Sequence, residues 1–212
     1  MAKMNNGFLS GGMSNVVFYK MNDEQIVRAK PAQKSKRTKL RRRTDKQWKQ
    51  QARFAEASRV ANFMKELLNQ TFEKTKGQIG KCQAISYILS SAIQGEYPDY
   101  RVDFSKMLIA RGRALKAEGA TVSSTAENKL EFSWDTNTGT NYAAAEDQAI
   151  LVAYGERSGK VFYTLKGFSR RNGKGELPLM SCSGSKMHVW ISFRKRNGET
   201  ADSVYLGEHK IL

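Results

Sequence analysis

Histidine and cysteine are nearly absent from this chain, with two of each in 212 residues. Enzymes that move protons and sites that hold zinc depend on these side chains, so both functions start from a poor supply. His188 falls in a stretch of period-two alternation and His209 close to the C-terminus, positions that read as structural or exposed rather than catalytic. Cys82 and Cys182 lack C-x-x-C spacing and read as two buried thiols in a reducing compartment rather than a disulfide. The patterns H-E-x-x-H, G-x-S-x-G, Walker A and G-x-G-x-x-G do not occur. Gly173-x-Gly175 and the pair Gly155 and Gly159 read as hairpin turns, because neither stands between a strand and a helix as a phosphate cradle does. Glu131, Asp135, Glu146 and Asp147 read as solvated loop acids. No catalytic activity, cofactor, metal or small-molecule substrate is expected. Long apolar runs are lacking too: nothing approaches the roughly 18 residues needed to cross a bilayer. The opening MAKMNNGFLSGG has no apolar signal region. The expectation is a protein made and kept in the cytoplasm, or one that leaves only within a particle such as a virion.

Acidic residues are also scarce: 20 Asp and Glu stand against 36 Lys and Arg, a formal net charge of +16. The imbalance is concentrated. Arg28, Lys30, Lys34, Lys36, Arg37, Lys39, Arg41, Arg42, Arg43, Lys46, Lys49 and Arg53 are opposed by one acid, Asp45, so +11 of the +16 lies in 26 residues. Charge of this density calls for an anion: nucleic acid, a membrane surface or an acidic neighbour in an assembly. Cations on an extended arm displace counterions from phosphates without reading sequence, and such binding is steeply salt-dependent. The stretch has no aromatic residue before Trp48 to stack on bases, which argues against specific readout of single strands. Arg53, Arg59 and Lys65 on the following helix either extend the basic surface or form a solvated face. The turn residues Arg170, Arg171, Lys174, Arg194, Lys195 and Arg196 present the same two alternatives.

With 40% apolar residues the chain has enough to build a core. Gly7, Gly11 and Gly12 make the first dozen residues permissive and extended. Residues 15–20 and 26–29 flank a polar turn and predict a two-stranded hairpin, which alone is marginal in water and needs the C-terminal part of the chain or a neighbouring subunit to pack on. Thr44 and Gln47 fit a capping box. From there Trp48, Ala52, Ala55, Val60, Met64, Leu67, Leu68 and Phe72 predict one helix running to Gly77. A second helix, with Cys82, Ile85, Leu89, Ala92 and Ile93 on one stripe, is predicted from Gln78 to Gly95, and the pair form a helical hairpin. The period then falls to two. A strand is predicted at Val102 and Phe104, continuing through Met107 to Ala110, and about seven short strands follow. The predicted fold class is α+β: an N-terminal tail, hairpin and basic arm over residues 1–43, a helical hairpin with a connecting strand over 44–118, and an antiparallel β-sandwich over 119–212.

Two resemblances support this order. Leu130-x-Phe132-x-Trp134 and Val189-x-Ile191-x-Phe193, followed by Asn197-Gly198, resemble the second and sixth strands of a fibronectin type III or Ig-like sandwich, although Met187 stands where that family often has tyrosine. The resemblance implies that Trp134 is a core residue. Along nearly the whole chain, Gly12, Asn15-Val16-Val17, Tyr19, Val27-Arg28-x-Lys30-Pro31, Thr44-x-x-Gln47, Arg53-Phe54, Asp103-Phe104-Ser105-Lys106 and Asp202-Ser203-x-Tyr205-Leu206-Gly207 resemble an uncharacterised domain-of-unknown-function family of Bacteroidota proteins. That resemblance implies co-linear architecture and no particular activity. The chain departs from it in the density of basic residues between Lys34 and Arg43, which marks the arm as this protein's own specialisation.

The expected function is that of a non-enzymatic structural or assembly subunit, of a phage or virus-like particle, whose basic arm meets nucleic acid or neighbouring subunits. The competing expectations are an RNA- or DNA-binding accessory protein that uses the arm alone, and an adhesin-like binder that uses sandwich loops. The expected partners are further copies in a homo-oligomer or larger assembly and non-specifically bound nucleic acid, with no membrane span.

Overall fold

In the computed structural model, residues 3–5, 7–21, 24–31, 43–72, 79–126, 128–139, 143–180, 182 and 184–211 are described. The chain divides into two compact units, Met1–Asp45 and Lys46–Leu212.

The first unit is an antiparallel meander of four strands, β1 (Lys3–Asn5), β2 (Phe8–Met13), β3 (Val16–Met21) and β4 (Glu24–Ala29), in that spatial order. The predicted two-stranded hairpin is present as β3 and β4, and two further strands precede it. The extra strands come from the tail: Gly7, at φ +79°, turns the chain so that Asn5 pairs with Phe8, and an Asn-Gly pair is a strong hairpin signal. Pairing between β3 and β4 runs from Val16↔Ala29 to Met21↔Glu24, so Met21, Glu24 and Gln25, read as turn residues, lie in the strands. The side chain of Gln25 donates to the Leu9 carbonyl (3.0 Å) and accepts from the Leu9 N–H (2.7 Å), bridging the sheet across β3. Alternation places apolar side chains on both faces: Phe18 and Val27 pair on one, Tyr19 and Ile26 on the other. Every described side chain of this unit is half-buried or exposed.

The second unit holds the core. Three helices, α1 (Asp45–Phe63), α2 (Lys65–Thr71) and α3 (Gly80–Tyr87), are followed by a π turn over Ile88–Ala92 and a short ribbon, β5 (Ile93–Gln94) with β6 (Arg101–Val102). The single helix predicted to reach Gly77 therefore breaks at Met64 and ends at Phe72, whose backbone is extended (φ −103°, ψ 138°). Tertiary hydrogen bonds capture the chain there. The Thr71 hydroxyl reaches the carbonyl of Ile109 at 2.6 Å, and the Arg111 N–H donates to the Thr71 carbonyl at 3.2 Å. The predicted apolar stripe also starts too early. Burial begins at Ala57 and continues through Val60, Ala61 and Met64, whereas Trp48 is 47% exposed and Ala55 lies outside the core. The second helix begins two residues later than predicted, at the point where Gly80 lies against α2: a Cβ there would stand 2.4 Å from the Leu68 carbonyl oxygen. The strand predicted through Phe104 to Ala110 shrinks to β6, because Asp103 accepts the Ser105 N–H (3.0 Å) and turns the chain.

Seven further strands are present among the described residues: β7 (Thr121–Ala126), β8 (Lys129–Ser133), β9 (Gln148–Tyr154), β10 (Val161–Thr164), β11 (Lys174–Pro178), β12 (Lys186–Arg194) and β13 (Val204–Lys210). They form two antiparallel sheets, ordered β10-β9-β12-β13 and β11-β8-β7. The predicted alternation of β9 holds on both faces. Ile150, Val152 and Tyr154 join Trp190 in a cluster with the helices and Phe104. Ala149, Leu151 and Ala153 join Met187, Val189, Ile191 and Phe193 in a second cluster with Leu130, Phe132, Trp134 and Leu177 of the other sheet. The unit is thus mixed α+β, with β9 and β12 buried on both sides.

Candidate anion and assembly surfaces

The described residues of the basic stretch take separate roles. Arg28, on β4, lies over the Tyr19 ring with its guanidinium carbon 5.6 Å from the centroid. Lys30 donates its backbone N–H to the Asn15 carbonyl at 2.6 Å, closing the meander, and its side chain runs over Gly12. Lys34, Lys36, Arg37, Lys39, Arg41 and Arg42 lie outside the described residues. Arg43 is exposed ahead of α1, and Lys46 and Lys49 are exposed on its first turns alongside Trp48. Arg53 is committed to the fold, donating to the Leu89 carbonyl at 2.9 Å. Arg59 pairs with Glu56 at 2.7 Å, which raises its already high pKa.

Asp147, read as a solvated loop acid, and Arg170, read as either an extension of the basic surface or a solvated turn residue, prove to be buried. Arg170 is fully buried, with Nη1 donating to the Asn137 side chain (2.8 Å) and Nη2 to the Leu115 carbonyl (2.7 Å). Its guanidinium lies 3.8 Å from the Phe193 ring centroid, a cation–π contact, and Nε stands 3.5 Å from Asp147, only 2% exposed. Desolvation lowers the Arg170 pKa while Asp147 opposes the shift. Asp147 also accepts the Ala144 N–H at 3.0 Å. The pair locks the 3₁₀ turn Arg170–Asn172 against Trp134, whose indole N–H donates to the Arg170 carbonyl at 2.9 Å. Gly173 ends this 3₁₀ turn, and Gly175 lies within β11 beneath Phe168 and Trp134, so neither forms the predicted hairpin turn.

His188 stacks on Phe104 (centroids 4.1 Å apart) and its Nδ1 meets the Tyr205 hydroxyl at 2.8 Å. Burial pushes this imidazole below its usual pKa and the Tyr205 phenol above its own. A cleft of about 570 Å³ beside it is lined by residues of both charge signs, including Glu156, Arg157, Lys186 and Glu208. Cys182 is buried as predicted, whereas Cys82 is exposed, and both are free thiols. Among the described residues no three His, Cys, Asp or Glu side chains come together to hold a metal ion. No helix among them is long and apolar enough to cross a membrane.

A polar groove crosses the junction where residues 71–72, 111–114 and 200–201 meet. Phe72 and Arg111 form a parallel bridge, as do Ala114 and Ala201. Gly112 permits this approach, since a Cβ there would stand 2.0 Å from the Thr200 carbonyl oxygen. Arg111 and Arg113 line one end, with Gln83 and Asp202, in a cleft of about 450 Å³. A cleft of about 550 Å³ holds Asn69, Gln70, Arg194 and Asn197. Arg111 and Arg113 carry no local signal in the sequence beyond their R-G-R spacing beside a predicted strand.

These observations define a two-unit α+β protein with a separate N-terminal sheet and a helix-covered antiparallel core. The chain belongs to DUF6266, a family of unknown function, whose match spans residues 10–207. No curated protein matches it. Among solved structures it is similar to the fn3 domain of the human collagen alpha-1(XX) chain, at 15% identity and a TM-score of 0.34, over 46% of this chain and 85% of that one.

Proposed function

We propose that this protein is a non-enzymatic assembly subunit, of a phage or virus-like particle, whose N-terminal sheet docks on neighbouring copies while the basic segment after it meets nucleic acid or acidic neighbours. In this reading the β7–β13 region serves as a fibronectin type III-like sandwich that carries the sheet. One observation supports the proposal above the others. The meander carries apolar side chains on both faces and buries none of those described, with Met13 59%, Val27 53% and Met21 51% exposed. A small sheet gains stability by covering an apolar face, and exposed apolar patches commonly mark contact sites.

The second reading, a nucleic-acid-binding accessory protein, is favoured by the net +11 between Arg28 and Arg53. Deleting residues 1–43 separates the two. Loss of assembly with a folded, monomeric remainder supports the first reading. Normal assembly combined with loss of most salt-sensitive polynucleotide binding supports the second.

A further inference from the structure

We propose that the groove at the junction of residues 71–72, 111–114 and 200–201 binds the phosphodiester backbone of a single-stranded polynucleotide through Arg111 and Arg113, independently of the N-terminal basic segment. Three adjoining clefts make this one continuous site. A narrow cleft of about 50 Å³ shares Phe72, Arg111 and Gly112 with the cleft at the arginine end, and Gln70, Phe72, Gly198 and Glu199 with the cleft at the far end.

The lining is rich in hydrogen-bond donors. Arg111, Arg113 and Arg194 supply guanidiniums, and Asn69, Gln70, Gln83 and Asn197 supply amides. Two carboxylates share the groove and both are engaged: Asp202 accepts the Gly112 N–H at 3.1 Å, and Glu199 pairs with Lys195 at 3.2 Å. Arg111 and Arg113 are exposed and make no ion pair with a carboxylate among the described residues. Arg111 lies over the Tyr87 ring, 5.6 Å from its centroid, which restrains the guanidinium at the rim. Its backbone is fixed by the Thr71 carbonyl on one side and the Thr200 hydroxyl (2.9 Å) on the other. Donors held by a rigid floor lose little entropy on meeting an anion.

The choice of ligand follows from this chemistry. Guanidinium forks and amides match phosphate oxygens and position a backbone without reading bases. Protein interfaces centre instead on buried aromatic or aliphatic anchors, and Phe72, the apolar side chain in this groove, is itself only 3% exposed. The proposal stands whether or not the N-terminal sheet mediates assembly.

The test uses the full chain and fluorescence anisotropy of a labelled twelve-residue oligo-dT titrated across NaCl concentrations. The variant R111Q/R113Q is compared with K116Q/K166Q, which removes the same charge from exposed positions outside the groove. Thermal melts confirm that both variants are folded. At about 0.7 counterions released per single-strand phosphate contact, losing two contacts lowers the slope of log K against log salt by about 1.4 in R111Q/R113Q. The control slope stays at the wild-type value. Equal slopes in R111Q/R113Q and wild type, or an equal loss in the control, overturn the proposal. So does a poly-glutamate peptide that binds the groove as tightly as the oligonucleotide and loses binding in R111Q/R113Q.

Discussion

Removing the Asp147 carboxylate leaves the fully buried Arg170 guanidinium without its counter-charge, and an uncompensated buried ion is among the costliest single changes a fold can suffer. Asp147→Ala is expected to destabilise the protein by about 3–5 kcal/mol in urea unfolding. Asp135→Ala, at an exposed loop acid, is expected to change stability by less than about 0.5 kcal/mol. His188 yields a prediction in pH. Its folded pKa lies below the usual 6.5 because burial disfavours the imidazolium. Glu208 and Glu156 oppose that shift and Lys186 reinforces it. The unfolded chain therefore takes up the proton first. Stability is constant above pH 6.5 as far as this group is concerned, and is lost as pH falls from there through the folded pKa. Thermal melts of His188→Asn are expected to show a smaller decline than wild type across that window. A parallel decline in the two proteins would contradict the assignment. The roles of Arg170 and Asp147 were not legible in the sequence, for a physical reason. Arg170 and Asp147 sit among turn residues, and what buries them, Phe193, Asn137 and Leu115, is distant in the chain. His188 was readable as structural because its neighbours alternate with period two.

At the scale of elements, two glycines hold segments closer than any other residue permits. Gly80→Ala is expected to push α3 from α2 and cost about 1–3 kcal/mol, measured by denaturant unfolding. The apolar periods of β9 and β12 were legible because both faces of each strand are packed, so every residue of Ile150-Leu151-Val152-Ala153-Tyr154 carries the same message. Helix ends were less legible. Local propensity permits α1 to run to Gly77, but hydrogen bonds from Thr71 to Ile109 and from Arg111 to Thr71 stop α2 six residues short, at Thr71. The same tertiary capture builds the arginine groove, which is why the sequence pointed to the dense basic stretch and passed over Arg111 and Arg113. The meander was half legible: Val16 to Tyr19 announced a strand, while the Asn-Gly pair at residues 6–7 was read as part of a loose tail.

At the scale of the whole molecule, the chain joins a sheet whose described side chains are all half-buried or exposed to a unit with two hydrophobic clusters, through the segment with the highest charge density. The contrast in burial motivates the assembly proposal, and Val27 lies at its centre: 53% exposed, on β4, directly opposite Phe18. A charge at that position leaves the backbone ladder intact and makes the apolar face costly to cover. Size-exclusion chromatography with light scattering, run on the full chain and on Val27→Asp over a concentration series at low and high salt, reads the central claim directly. The expected result is a mass above the 23.9 kDa of one chain that rises with concentration, and a Val27→Asp variant that stays at 23.9 kDa. A full-length protein that stays at 23.9 kDa under every one of these conditions would contradict it.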